Sequence, residues 1–214
     1  MSTYKPVPHI HDEFVTKVQD GEEIVNDIFD EEDADELQVF STPKGGVTHN
    51  IYLGTSVLSS DKYYKLFNTL AAAGPDDDFR VHLNNYGGYV SGGTQLMNSL
   101  RSTKGHVKMI VAGPVYSMAS LLAICVEDVE IHDHTFLMFH DYSGGSVGKG
   151  AEMIRSVISY KAYFEQVLKD VGKDFLTKKE ITDLYHGVDL YVTAEDARKR
   201  LVARAKKRKT GAKK

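Results

Sequence analysis

From Val47 onward the apolar positions switch repeatedly between the two periods of regular structure. "THNIYLG" reads as a strand, and "SSDKYYKLFNTLAAAG" as a helix opened by a Ser or Asp cap and stopped at Gly74. "FRVHL" is a second strand. It ends in the glycine-rich "NNYGGYVSGG", after which "TQLMNSLRST" has helical spacing and "HVKMIVA" is strongly strand-like. Beyond Gly113-Pro114 and Ser117, "MASLLAIC" fits a buried helix and "VEIHDHTFLMFH" supplies further strand. "AEMIRSVISYKAYFEQVLKD" is a long helix, with Ile154, Val157, Ile158, Phe164 and Leu168 marking its inner face. A capping box, "TKKE", opens a short helix at Thr177; "VDLYVTAEDARKRL" reads as a strand, a Thr193 cap and a last helix. This alternation implies an α/β domain, and right-handed crossovers make its sheet largely parallel.

Composition adds the outer limits. With 214 residues, 42% of them hydrophobic, the chain can build one ordinary domain with tails. The expected division is an acidic extension over 1–45, a domain over 46–203 and a basic tail over 204–214. Residues 1–40 hold twelve Asp or Glu against Lys5 and Lys17, and "EEIVNDIF" there can form one marginal helix. Folding is expected to begin near Val47. The tail "ARAKKRKTGAKK" reads as a solvated, frayed terminus; no aromatic residue interleaves its charges, so it offers no stacking platform and a nucleic-acid partner is not expected. The apolar run "VKMIVAGPVYSMASLLAICV" carries Lys108 and the helix-breaking Gly113-Pro114, which argues against a membrane span. Cys125 is the single cysteine, and no secretory leader pattern is visible, so a cytoplasmic address is expected.

In parallel sheets, sites gather at the carboxyl ends of strands. Three groups fall there: the Gly-Gly loop after "FRVHL", Ser117 after "HVKMIVA", and His140 at the end of "TFLMFH". A serine hydroxyl needs a base to take its proton and donors to receive an oxyanion. A turn at Gly113-Pro114 sets Ser117 near a helix N-terminus, where the N–H of Met118 lacks an intrahelical partner. Gly87 or Gly88 can bring a second N–H close. The plainer reading is that Ser117 and Ser120 cap or line a buried helix. Among the histidines, His9 and His11 lie in the acidic end, and His132 and His134 alternate without further ligands at metal spacing, so no metal is expected. His140 is followed by the glycine-rich "DYSGGSVGKG". As an orienting acid, Asp141, Asp183, Asp189 and Asp196 all remain open on spacing alone.

The order of motifs narrows the choice. "VHLNNYGGYVSGG", "AGPVYSMASLLA", "FLMFHDYSGG" and "DLYVTAEDARKRL" together resemble, over about residues 47–203, the ClpP family of ATP-dependent serine proteases, as a divergent, phage-type member. The resemblance implies a crotonase-like α/β fold with a protruding handle helix, here residues 151–170, and homo-oligomeric assembly as stacked heptameric rings around a chamber. It makes Ser117 the nucleophile, His140 the general base and acid, Asp189 the residue orienting His140, and the N–H groups of Gly88 and Met118 the oxyanion donors. No cofactor is implied; peptides and unfolded proteins are the substrates. A separate AAA+ unfoldase is the expected partner, since neither "NYGGYVSGGT" nor "SGGSVGKGA" has the Lys-Ser or Lys-Thr ending of a phosphate loop. The chain departs from the family pattern at Tyr86, where a proline commonly precedes the glycines, in the basic run "RKRLVARAKKRK", and in the length of its acidic extension. Two rival readings remain: a crotonase-type acyl-CoA enzyme indifferent to Ser117, and a catalytically degenerate assembly protein.

Overall fold

A computed structural model of the chain describes residues 38–43 and 46–211. The segment "EEIVNDIF", His9 and His11 lie outside the described residues. One seven-stranded sheet organises the rest, in the order β1 (Gln38–Pro43), β2 (Val47–Leu53), β3 (Asp78–Asn85), β4 (His106–Tyr116), β6 (Phe136–Phe139) and β7 (Leu190–Thr193), with β5 (Asp128–Ile131) also paired to β4. The pairs β2/β3, β3/β4, β4/β5 and β4/β6 are parallel; β1/β2 and β6/β7 are antiparallel. The mixed α/β fold with a mostly parallel sheet is the one the alternating pattern implies.

Burial alternates along β2 and β3, with Ile51, Leu53, Phe79, Val81 and Leu83 in the core, while central β4 buries Met109, Ile110 and Val111 in succession. Three helices contribute heavily to that core. They are α1 (Tyr64–Ala72) through Leu66 and Leu70, α2 (Val90–Ser102) through Leu96, Met97 and Leu100, and α3 (Met118–Ile124) through all of its seven residues. The remaining helices are α4 (Gly150–Gly172), α5 (Lys178–Tyr185) and α6 (Ala194–Gly211). The capping box opening α5 is present, with Glu180 N donating to Thr177 Oγ1 at 3.1 Å and Thr177 N to Glu180 Oε2 at 2.7 Å. Thr193 caps α6 by accepting from Asp196 N at 3.3 Å.

Several boundaries differ from the sequence expectation, each for a tertiary reason. The sheet begins before Val47: β1 pairs with β2 while Val39 and Phe40 stay exposed, so its backbone ladder, invisible to hydropathy, recruits it. Helix α1 is preceded by a 3-10 turn at Ser60–Tyr63, and the hydroxyl of Ser59 donates to Asp61 instead of capping through its side chain. Ala73, in extended conformation, ends α1, and the Asp77 carboxylate then takes the N–H of Gly74 at 2.8 Å. Strand β4 runs straight through Gly113-Pro114. Residues 112–114 sit in an irregularity of the β3/β4 ladder, between the pairs Leu83↔Val111 and Asn85↔Val115, so the missing proline N–H breaks no ladder bond there. Gly92 and Gly93 belong to α2, and the close packing of Met118 leaves no room for a side chain at Gly93.

The last helix also exceeds its expected length and is not simply solvated. Arg200 pairs with Glu180 at 2.7 Å, Arg198 with Asp133 at 2.9 Å, Arg208 with Glu127 at 3.0 Å, and Lys207 with Asp174. Arg204 is only 3% exposed. The inner face assigned to α4 divides: Phe164 and Leu168 are buried, whereas Ile154, Val157 and Ile158 are exposed, because only the C-terminal half of α4 reaches the core.

Candidate active site

Ser117 is the hinge between β4 and α3. Its φ of 55° and ψ of −125° lie outside the regions an L-residue ordinarily occupies, and such strain persists only where the surroundings over-determine it. Here the constraint comes from β6 and from α3 itself: Ser117 N donates to Met138 O at 2.7 Å, and Ser120 N to Ser117 O at 3.0 Å. The turn thus falls at Ser117 and not at Gly113-Pro114. Ser120, one turn on, is fully buried, with its hydroxyl 2.7 Å from Met138 O and 3.0 Å from Val115 O. The two serines therefore divide in character, one half-buried at the strained turn and one locked into the core.

The glycine loop after β3 packs directly on this turn. Gly87 has φ 90°, and a Cβ there would lie 2.7 Å from the Cβ of Ser117 and 3.2 Å from the N of Met118. Its neighbour Gly88 bridges Val57 in parallel fashion, with Val57 N donating to Gly87 O at 2.6 Å and Tyr89 N to Val57 O at 2.9 Å. In a parallel bridge of this kind the bonds go to the residues flanking Gly88, so its own N–H faces away from Val57. Met118 N heads α3, where no intrahelical acceptor exists for it.

Sequence reasoning missed Asn85, which is buried and holds the loop from both sides. Its Oδ1 accepts from Gly87 N at 2.9 Å and its Nδ2 donates to Gly54 O at 2.5 Å. An asparagine two residues before a Gly-Gly pair was the available signal, since its side chain can bond the backbone two residues on. With that clamp and the Val57 bridge, the loop holds its shape around Tyr86, whose ring is exposed and lies 5.5 Å from that of Tyr116.

His140 and Asp189 lie just beyond the same end of one ladder. Strands β6 and β7 are antiparallel with Phe139 opposite Leu190. The next step along each strand is His140 on one side and Asp189 on the other. His140 is half-buried and Asp189 exposed. The other acids considered are engaged elsewhere: Asp141 with Lys161 at 3.3 Å, Asp183 with Lys179 at 2.5 Å, and Asp196 with Arg200 at 2.9 Å. His132 is exposed beside Glu130 at 3.0 Å, and His134 is exposed on a turn. Among the described residues no cluster of three or more His, Cys, Asp or Glu is arranged to hold a metal ion, and no helix is long and apolar enough to cross a membrane. Burial pushes the Cys125 thiol up to about 12, which keeps it protonated and unreactive near neutral pH.

A crossover α/β sheet whose central strand ends in a strained serine facing a glycine loop defines the class: a mixed α/β protein of the Clp protease type. The Clp protease family model matches residues 48–199, and the chain belongs to that family. It is similar to the ATP-dependent Clp protease proteolytic subunit 2 of Chlamydia pneumoniae, with 24% identity over 142 residues, 58% of this chain and 70% of that protein.

Proposed function

We propose that the chain is a serine endopeptidase in which Ser117 is the nucleophile, His140 its base and Asp189 the group that orients the imidazole. The observation that carries this reading is the packing of Gly87 against a strained Ser117 and beside Met118 N. In the reaction, Ser117 Oγ attacks the peptide carbonyl carbon as His140 takes its proton. The oxygen of that carbonyl gains the negative charge, and the Gly88 and Met118 N–H groups receive it. Collapse expels the amine, which takes the proton from His140 and leaves an acyl ester on Ser117. Water, deprotonated by His140, then attacks the ester and restores the serine. Asp189 acts on the far ring nitrogen, fixing the tautomer that leaves the other free to accept.

The domain of this reading spans 46–203, with 1–45 and 204–214 as flanking segments. Its substrates are peptides and unfolded proteins. The exposed apolar residues of α4, Ile154 at 64% and Ile158 at 63%, support a homo-oligomer in which copies of this helix cover one another. Membership of the Clp protease family supports a reading as stacked rings, and the relative's description as an ATP-dependent proteolytic subunit supports a separate ATP-driven unfoldase as partner.

Fluorophosphonate labelling tests the chemistry. The reagent should modify Ser117, and Ser117→Ala should abolish both labelling and cleavage of a fluorogenic peptide. Ser120→Ala should keep both while lowering stability by about 1–2 kcal/mol, since it removes a buried hydrogen-bonding group. Oligomers that resist labelling altogether would point to an assembly protein instead.

A further inference from the structure

We propose that Arg204, on the C-terminal helix, is a positioning residue for Ser117, acting through the helix that Ser117 begins. The inference rests on the protease reading and identifies what holds its nucleophile turn from behind. Helix α3 is short and wholly buried, and its position is set at both ends. At the front, the N–H of Ser117 is fastened to Met138 O. At the back, the Arg204 guanidinium ties the last residue of the helix to the segment that follows it: Nη1 donates to Ile124 O at 2.7 Å and Nη2 to Val126 O at 2.8 Å, with Glu127 O at 3.4 Å.

Of those carbonyls, Ile124 O is an acceptor the helix leaves unpaired, at the negative end of its dipole, while Val126 O and Glu127 O belong to the segment that leads out of it. A planar guanidinium can serve two of them at once, which a lysine ammonium cannot do with the same fixed geometry. Because Arg204 is buried, water cannot readily replace it, and its loss would leave buried acceptors unpaired. Burial, followed by the nearby charge of Arg208, lowers its pKa from the ordinary arginine value.

The link to catalysis is geometric. A seven-residue helix is about 10 Å long and moves as a unit, so a slide at Ile124 is delivered to Ser117 and the Met118 N–H at the other end. Gly87 and His140 sit on different elements and do not follow. Misplacement of reacting groups by about 1 Å costs on the order of 100-fold. The strained turn at Ser117 also has a lower-energy conformation to relax into once α3 is released.

The test compares wild type, Arg204→Ala, Arg204→Lys and Arg208→Ala in the full chain. Three quantities are read: peptide kcat and KM, the fluorophosphonate labelling rate, and amide hydrogen exchange over residues 113–125. Arg204→Ala should lose at least ~10-fold in kcat with KM unchanged, slow labelling equally, and expose α3 amides to exchange. Arg204→Lys should fall between it and wild type, and Arg208→Ala, which loses only an exposed ion pair, should match wild type. Wild-type kcat and wild-type α3 protection in Arg204→Ala would overturn the proposal. If Arg204→Ala does not fold, Arg204→Lys decides alone: reduced kcat at unchanged KM supports positioning, and wild-type kcat overturns it. A wild-type chain that neither cleaves nor labels refutes the protease reading. The α3 exchange of the variants still reports whether Arg204 holds that helix.

Discussion

Gly87 and Ser117 touch so closely that a methyl group on the glycine would stand 2.7 Å from the Cβ of the serine, nearer than Cβ atoms are found in proteins. Gly87 is also at φ 90°, where an L side chain is strained before any contact is considered. Gly87→Ala should therefore push the loop off the serine turn. Peptide cleavage should fall by ~100-fold or more while the circular-dichroism spectrum is kept, because the displaced loop carries one proposed oxyanion donor. Full activity in a folded Gly87→Ala protein would remove the loop from the site.

Asp189, proposed to orient His140, follows the register pair Phe139↔Leu190, whereas Asp141, Asp183 and Asp196 hold lysine or arginine partners. Asp189→Asn should lower kcat by several hundred-fold or more on the scale of triad acids, at roughly unchanged oligomer mass. Asp141→Asn and Asp183→Asn should stay within about threefold of wild type, since each loses an ion pair with a lysine and the amide at 141 can still accept from Tyr142 N. If either of those instead causes the severe loss, the orienting carboxylate is misassigned.

Helix α4 leaves Ile154, Val157 and Ile158 exposed over its first half. Light scattering should give a mass many times 23.8 kDa for the wild-type chain. Ile154→Asp with Ile158→Asp should reduce that mass, because a carboxylate buried across an apolar contact has no partner. A wild-type chain that is a monomer at micromolar concentration and still cleaves peptides would exclude assembly through this face.

Acid stability has a specific source in Glu180. Hydrogen bonds from Arg200, joined by Thr177 N, hold its carboxyl at about 2, against an ordinary 4.5. A lowered carboxyl stabilises the fold fully above its unfolded value and loses that contribution as pH falls toward its folded one. The shift from 4.5 to about 2 is worth roughly 3 kcal/mol at most. Glu180→Gln should lower the melting temperature near neutral pH, and the gap from wild type should close as pH drops from about 4.5 toward 2. A gap independent of pH would mean that the Arg200 contact contributes packing and not charge.

Features governed by near neighbours were legible in the chain. The period-two runs of β2 and β3, the α/β alternation, the Thr177–Glu180 capping box and the Thr193 cap all depend on residues within a few positions of each other. Their energetics are local, so the pattern carries them. The candidate site was legible through the order of its motifs, since a serine, a histidine and an aspartate each follow or begin a strand. Asn85 was not, because an amide shows its role only when Gly54 and Gly87 are beside it.

Other properties came from parts of the chain far apart in number. Gly113-Pro114, a break by local rules, lies within a strand because the β3/β4 ladder skips those residues. Half of α4 is exposed although its apolar positions look uniform along the helix, since the residues that meet the core, Phe164, Val167, Leu168 and Val171, all lie in its C-terminal half. Arg204, one of many charges in a basic run, is buried because α6 brings it to the end of α3 some 80 residues earlier. Propensity and periodicity act between neighbours along the chain. Burial, ladder register and the left-handed turn at Ser117 arise only when distant segments close on one another and leave each group a single place to go.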